Sequence, residues 1–168
     1  MLEQKIDVSL KRRLRRVRAV VLDVDGVLTD GGMYYTEAGE VMKKFNTRDG
    51  MGIALLIKTG VKVALISGEK TDIITRRAEK MGVSDVYLGV ENKITALNDF
   101  LAKHKLSADD VCYVGDDVND IPPMERVLLA VAVNDAVEDV KEAANVILTK
   151  KGGEGAVREI VDLILKSR

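Results

Sequence analysis

The 168-residue chain has one cysteine, one histidine, almost no net charge and no apolar run near the roughly 18 residues of a membrane span. Each shortage removes a class of explanation. One cysteine cannot close an internal disulfide, and Cys112 lies in the apolar run VCYVG, where it reads as a small core residue in a protein of the reducing cytoplasm. The N-terminus lacks the apolar stretch of a signal peptide, so a soluble, unprocessed chain is expected. The 26 basic and 27 acidic side chains nearly cancel, which argues against nucleic acid or an anionic membrane as the main partner. The only strong charge block, KRRLRRVR at 11–18, reads as a solvated face. The lone histidine, His104, sits among lysines and reads as a surface residue. Repeats, low-complexity tracts and linkers are absent. A 46% hydrophobic chain of this length can bury one core but not two, so a single domain over 1–168 is expected.

What is present alternates. Short β-branched runs at 18–24, 61–66, 85–88, 111–114, 128–133 and 145–148 are separated by amphipathic stretches, which predicts an α/β fold: a Rossmann-like, three-layer arrangement around a central parallel sheet. The runs are apolar throughout because both faces of such a sheet are covered. The last helix is announced by Ala156, Val157, Ile160, Val161, Ile164 and Leu165 after Gly152-Gly153. Met51, Met81 and Met124 read as core filler. Residues 30–47 break the alternation: two extended runs flank a turn at Glu37-Ala38-Gly39, predicting a projecting β-hairpin.

The chemistry is concentrated at predicted strand ends. VVLDVDGVLTD places Asp23 and Asp25 at the C-terminal end of the first strand, the edge where open α/β sheets bind ligands. Two acids one residue apart there can divide attack from proton handling. A carboxylate is repelled by a phosphate dianion, so such a site also needs a cation and fixed donors. ALISGEK offers the Ser67 hydroxyl and the backbone N–H groups from Gly68 onward as a phosphate cradle. Lys93 in ENKITAL, at a helix start, can neutralise phosphate and keep Asp23 ionised. YVGDDVND brings Asp116, Asp117 and Asp120 together, a mutually repulsive cluster unless a cation joins it. Asp23 and Asp116 with the backbone carbonyl of Asp25 form a plausible Mg2+ ligand set. Asp117 either supports the metal or caps the following helix.

DxDG, a hydroxyl-bearing strand end, an isolated lysine and GDDxxD, in that order, resemble the four-part signature of the haloacid dehalogenase superfamily across nearly the whole chain. The resemblance implies that Asp23 is the nucleophile forming an aspartyl-phosphate, and that Asp25 is the acid/base. It further implies Ser67 and Lys93 as phosphate ligands, Asp116 as metal ligand and Asp120 as a supporting carboxylate.

The spacing leaves no room for a cap domain. The segments FNTRDGMGI and GGEGAVREI are similar to those of the capless subclass that contains the phosphatases of 3-deoxy-D-manno-octulosonate 8-phosphate. That resemblance implies a homotetramer whose hairpins pair and whose active sites are completed by a neighbouring subunit. It also implies a C-terminal tail, about 150–168, that helps cover a site, with Gly152, Gly153 and Gly155 as joints. A phosphorylated sugar acid as substrate calls for a second cationic group, for which Arg48, Lys70 and Arg158 are candidates; Arg48 is the first choice, with an ion pair to an acid such as Asp49 as its alternative role. Glu69, where arginine is common in octulosonate phosphatases, would repel a carboxylate but accept hydrogen bonds from sugar hydroxyls. GEK segments also occur in phosphatases of nine-carbon acids, so 2-keto-3-deoxynononate or N-acetylneuraminate 9-phosphate is the second expectation. Two other classes, a silent oligomerisation module and a phosphotransferase, compete; retention of Asp23, Asp25, Lys93 and Asp116 argues against the first.

Overall fold

Ala19–Leu22 is apolar and buried along its whole length, and this strand, β1, lies in the middle of a six-stranded parallel sheet. The structure, a computed structural model, describes residues 7–168. The hairpin strands β2 (Tyr34–Thr36) and β3 (Gly39–Met42) follow β1 in sequence but form their own antiparallel pair. The sheet continues with β4 (Lys62–Ile66), β5 (Asp85–Tyr87), β6 (Val111–Gly115), β7 (Leu129–Ala132) and β8 (Val146–Ile147), in the spatial order β5-β4-β1-β6-β7-β8. The chain therefore builds outward from β1 on one side and then crosses to β6 on the other. The crevice above β1 and β6 is the topological switch point, where a ligand site is expected.

Helices α1 (Val8–Arg16), α2 (Thr47–Lys58), α3 (Asp72–Met81), α4 (Lys93–His104), α5 (Ile121–Met124), α6 (Glu138–Ala143) and α7 (Ala156–Lys166) cover both faces. Their starts are set locally: Asn46, Thr71 and Asn92 each accept a hydrogen bond from the backbone two residues on, relieving unpaired first-turn N–H groups. None of the described helices is long and apolar enough to cross a membrane.

All six predicted sheet strands form, within a residue or two of the expected bounds, and the hairpin turns at Glu37-Ala38. Three expectations are corrected. Met51 is 58% exposed on the outer face of α2, whereas Met81 and Met124 are buried; a helical period read from one sequence does not fix which edge of the apolar stripe meets the core. The basic block is only partly a solvated face, since Arg13 and Arg15 donate to the carbonyls of Leu128 and Ser167 and dock α1 on the body. The tail is not a loose cover. Val157, Ile160, Val161 and Ile164 of α7 are fully buried, mainly against α2. At roughly 1.5–3 kcal/mol for each such side chain, releasing α7 would consume most of a typical folding free energy of about 5–15 kcal/mol.

Candidate active site

β4, β1 and β6 lie side by side and parallel, so Ser67, Asp23 and Asp116, each one residue past its strand, emerge at one edge. The Asp23 N–H still donates to the Val114 carbonyl at 3.1 Å, the last tie to the sheet, and its Oδ1 accepts from the Val24 N–H at 2.7 Å. Beyond it the loop is clasped by fully buried Thr29, whose Oγ1 accepts from the N–H groups of Gly26 at 3.1 Å and Gly31 at 3.2 Å. Gly26 has a φ of +86°, and a Cβ there would run into the Asp116 carboxylate. Glycine at this position lets the two acidic strand ends approach each other.

Lys93, the first residue of α4, joins these elements. Its ammonium lies 3.0 Å from Asp23 Oδ1 and 2.7 Å from Asp120 Oδ1, with Lys93 3% exposed and Asp120 wholly buried. Burial pulls the ammonium toward neutrality, but the charges of Asp23 and Asp120 outweigh it and hold Lys93 above the usual lysine value. Asp120 is also fixed on every side: Oδ1 accepts from the Tyr113 hydroxyl at 2.8 Å, and Oδ2 accepts from the N–H groups of Asp116 and Asp117 at 3.0 and 3.4 Å. Burial, then the charge of Asp120, pushes the Tyr113 hydroxyl up, so it stays a donor. Asp120 thus acts as a brace that aims Lys93 and shapes the Asp116 turn.

Carboxylate oxygens of Asp23, Asp116 and Asp120 lie within 4.8 Å of one another. One lysine does not balance them. Burial and then Asp120 raise the Asp23 carboxyl, and burial also pushes Asp116 up to about 6. Asp116 Oδ1 is buried without a hydrogen-bond partner among the described residues. Because both Asp120 oxygens are already engaged, the open ligand atoms belong to Asp23 and Asp116. An all-oxygen set short of positive charge fits a hard divalent cation such as Mg2+.

Residues 69–160 match the family model described as haloacid dehalogenase-like hydrolase. The chain is 42% identical over 160 residues to the 3-deoxy-D-manno-octulosonate 8-phosphate phosphatase KdsC of Escherichia coli, covering 95% of this chain and 85% of that protein. The chain belongs to the haloacid dehalogenase-like hydrolases. Among solved structures, the octulosonate 8-phosphate phosphatase of Yersinia pestis superposes with a TM-score of 0.93 at 39% identity, covering 95% of this chain and 86% of that one. The Moraxella catarrhalis enzyme, solved with magnesium, phosphate and the KDO molecule, gives 0.91 at 32% identity, covering 94% and 91%. As in that fold, no cap domain interrupts the described residues of this hydrolase.

In this haloacid dehalogenase-like hydrolase the open cleft of about 180 Å³ is lined by Asp23, Asp25, Ser67, Gly68, Glu69, Lys93, Asp116, Asp117 and Asn119. All of these except Asn119 were singled out in the sequence, and the structure brings them together with Asp120 beneath. Asp117 is exposed and accepts from the Val118 N–H at 2.7 Å, so it caps the short turn that follows. Ser67 Oγ accepts from the Glu69 N–H at 3.0 Å, which shapes the cradle and leaves the hydroxyl proton free to donate.

Arg48, Lys70 and Arg158 do not line the cleft. Arg48 is exposed at the start of α2, Lys70 is exposed with its stem along Gly89, and the Arg158 side chain pairs with Asp162 at 2.8 Å. The expected Arg48–Asp49 pair does not form; Asp49 Oδ1 instead accepts from the Arg158 N–H at 2.8 Å. The segments FNTRDGMGI and GGEGAVREI are therefore docked on each other. Gly152 and Gly153 are buried against the backbone of Gly26 and Thr29, with no space for a side chain, so they clamp the loop after β1 and are not joints. His104 is half-buried and contacts Asp85 at 2.8 Å, a structural tie far from the cleft chemistry. Sequence reasoning missed Thr29, Tyr113 and Lys43. A buried acid such as Asp120 needs donors, a signal that could have found Tyr113; nothing in the sequence distinguished Lys43 from Lys44.

Proposed function

We propose that this hydrolase is a Mg2+-dependent phosphomonoesterase acting through an aspartyl-phosphate on a phosphorylated 2-keto-3-deoxy sugar acid, with 3-deoxy-D-manno-octulosonate 8-phosphate as substrate. The observation that carries the chemistry is the convergence of Asp23, Lys93, Asp116 and Ser67 on one cleft. Asp23 and Asp116, with the Asp25 carbonyl, would hold the metal. When bound, Mg2+ withdraws charge from the phosphate oxygens so that an anionic nucleophile can approach. Lys93 and the Ser67–Gly68 cradle orient the phosphate by charge and hydrogen bonds. An Asp23 oxygen attacks phosphorus while the bond to the sugar oxygen breaks, and Asp25 donates its proton to that leaving oxygen. Asp25 then takes a proton from a water that attacks the aspartyl-phosphate, releasing inorganic phosphate and restoring Asp23.

The substrate reading rests on the names of relatives such as the Escherichia coli and Moraxella catarrhalis enzymes. One observation favours a second reading: Glu69, from the GEK segment found also in nine-carbon-acid phosphatases, lines the cleft. Catalytic efficiency measured side by side on the eight-carbon and nine-carbon sugar-acid phosphates with Mg2+ separates the two, and a nine-carbon preference overturns the first. Asp23→Asn should abolish phosphate release and leave the fold intact.

The cleft is smaller than the roughly 300–1,000 Å³ that encloses a typical organic ligand, so it suits a phosphoryl group better than a whole sugar acid. Along the hairpin, Tyr35, Val41 and Met42 are more than half exposed. This supports the reading of residues 1–168 as one domain whose hairpins pair in a homotetramer, a neighbouring subunit completing each site. Light scattering on the active enzyme tests it; a fully active monomer rejects it. Cytoplasmic supply of a lipopolysaccharide precursor is the corresponding cellular role.

A further inference from the structure

The catalytic reading leaves one buried charge without a task. Lys43, directly after β3 at the foot of the hairpin, has a fully buried side chain. Its Nζ donates to Asp25 Oδ1 at 2.6 Å and to Glu40 Oε1 at 2.6 Å, with Met33 Sδ at 4.0 Å. An ammonium is costly to bury and persists only where partners compensate it. The rest of the hairpin is mostly exposed, so no hydrophobic core of its own draws this lysine inward. The foot is registered against the catalytic loop by the Thr29–Phe45 bridge. Both ends of the Lys43–Asp25 contact are thus fixed, one by the loop after β1 and the other by the hairpin.

Among the described residues, the Asp25 carboxylate forms its protein hydrogen bond through Oδ1 alone, and Asp25 lines the cleft. We propose that Lys43 is a positioning residue: it tethers Asp25 through Oδ1, with Glu40 aiming the ammonium, so that Oδ2 faces the oxygen that gains or loses the proton. The inference rests on the assignment of Asp25 as acid/base. Lys43 keeps its own protons throughout; the proton delivered to the leaving oxygen comes from Asp25, and the one recovered comes from water. Burial works against the charge on Lys43, but its bonds to Asp25 and Glu40 outweigh it and raise the ammonium above the usual lysine value. It therefore serves as a permanently charged tether.

Single-turnover release of the leaving group tests this. A primary alkyl phosphate needs a proton on its departing oxygen, whereas p-nitrophenolate leaves without one. General acid–base catalysis contributes roughly 10²–10⁴-fold, and a mis-aimed acid loses much of that. Lys43→Met should slow alkyl release on the order of 10²-fold and p-nitrophenol release by less than about 10-fold. The ratio of the two rates does not depend on the folded fraction. The double variant Lys43→Met/Glu40→Gln removes the carboxylate left unpaired by the first change, protecting the fold, and should show the same selectivity. Equal losses on both substrates, or none, while Asp25→Asn loses alkyl release selectively, overturn the tether and leave the acid/base reading standing. If Asp25→Asn is itself unselective, the acid/base reading falls and the tether falls with it.

Discussion

Replacing Lys93 with methionine tests the charge balance on which the site depends. The side chain is of similar length and apolar, so it fills the slot but leaves Asp23 and buried Asp120 facing each other without a cation. Removing one partner of a buried ion pair costs about 3–5 kcal/mol. The lower end applies here because Asp23, already raised by burial, can take up a proton. For a domain of this size about 3 kcal/mol corresponds to a melting point lower by roughly 6–12 °C. The pH dependence has a definite sign. A carboxyl whose folded-state pKa lies above its unfolded value of about 3.9 contributes stability that is present at low pH and lost as pH rises through the folded value. The metal-free deficit of Lys93→Met should therefore shrink as pH falls and Asp23, raised by burial and by Asp120, takes up a proton. In the double variant Lys93→Met/Asp120→Asn, asparagine still accepts from the Asp116 N–H and donates to the Tyr113 hydroxyl. It should recover about 1–3 kcal/mol as a coupling term. Turnover should fall on the order of 10²–10³-fold in the single variant and stay low in the double. Urea unfolding in chelator, combined with phosphate release in Mg2+, reads both. Additive stabilities, or a Lys93→Met protein as stable as its parent, refute the view that Lys93 bridges the two carboxylates.

Three further outcomes follow from the same geometry. Saturating Mg2+, at about 100 times its dissociation constant, should add about 2.7 kcal/mol to unfolding, seen as a thermal shift that Asp116→Asn abolishes. Gly26→Ala forces a Cβ toward the Asp116 carboxylate at a φ of +86°; about 1–3 kcal/mol of stability should be lost, and more Mg2+ should be needed for half-maximal activity. Cys112 is fully buried and its thiol is pushed far up by burial alone, so a thiol reagent at mildly alkaline pH should modify the urea-unfolded chain and leave the folded protein unlabelled.

The sheet and the acidic site were legible because both are encoded locally. An all-apolar run such as Ala19–Leu22 specifies a strand covered on two faces, and an acid directly after it specifies a strand end. Asp23, Ser67 and Asp116 needed only the parallel order of β4, β1 and β6 to meet. Residues whose meaning depends on a distant partner were not legible. Asp49 stood beside Arg48 in sequence, and the adjacent charge was the natural partner; the fold instead sets it over the first turn of α7, 109 residues away. Gly152 and Gly153 read as flexible because glycine has two opposite uses, freedom and close approach, and only the backbone of Gly26 and Thr29 beneath them decides between the two.

Lys43 shows the limit most sharply. Lys43 and Lys44 are chemically identical neighbours on a strand end where successive side chains point to opposite sides. One is buried between Asp25 and Glu40, while the other reaches an exposed contact with Asp30 at 3.4 Å. Which lysine turns inward is set by the register of the hairpin against the catalytic loop, fixed at Thr29–Phe45. A shift of one residue at that bridge would exchange their roles, moving Lys43 into solvent and turning Lys44 inward. On the proposed tether the hairpin's register is part of the site geometry, and it is set by pairing Thr29 of the first acidic segment with Phe45, which lies outside every acidic motif.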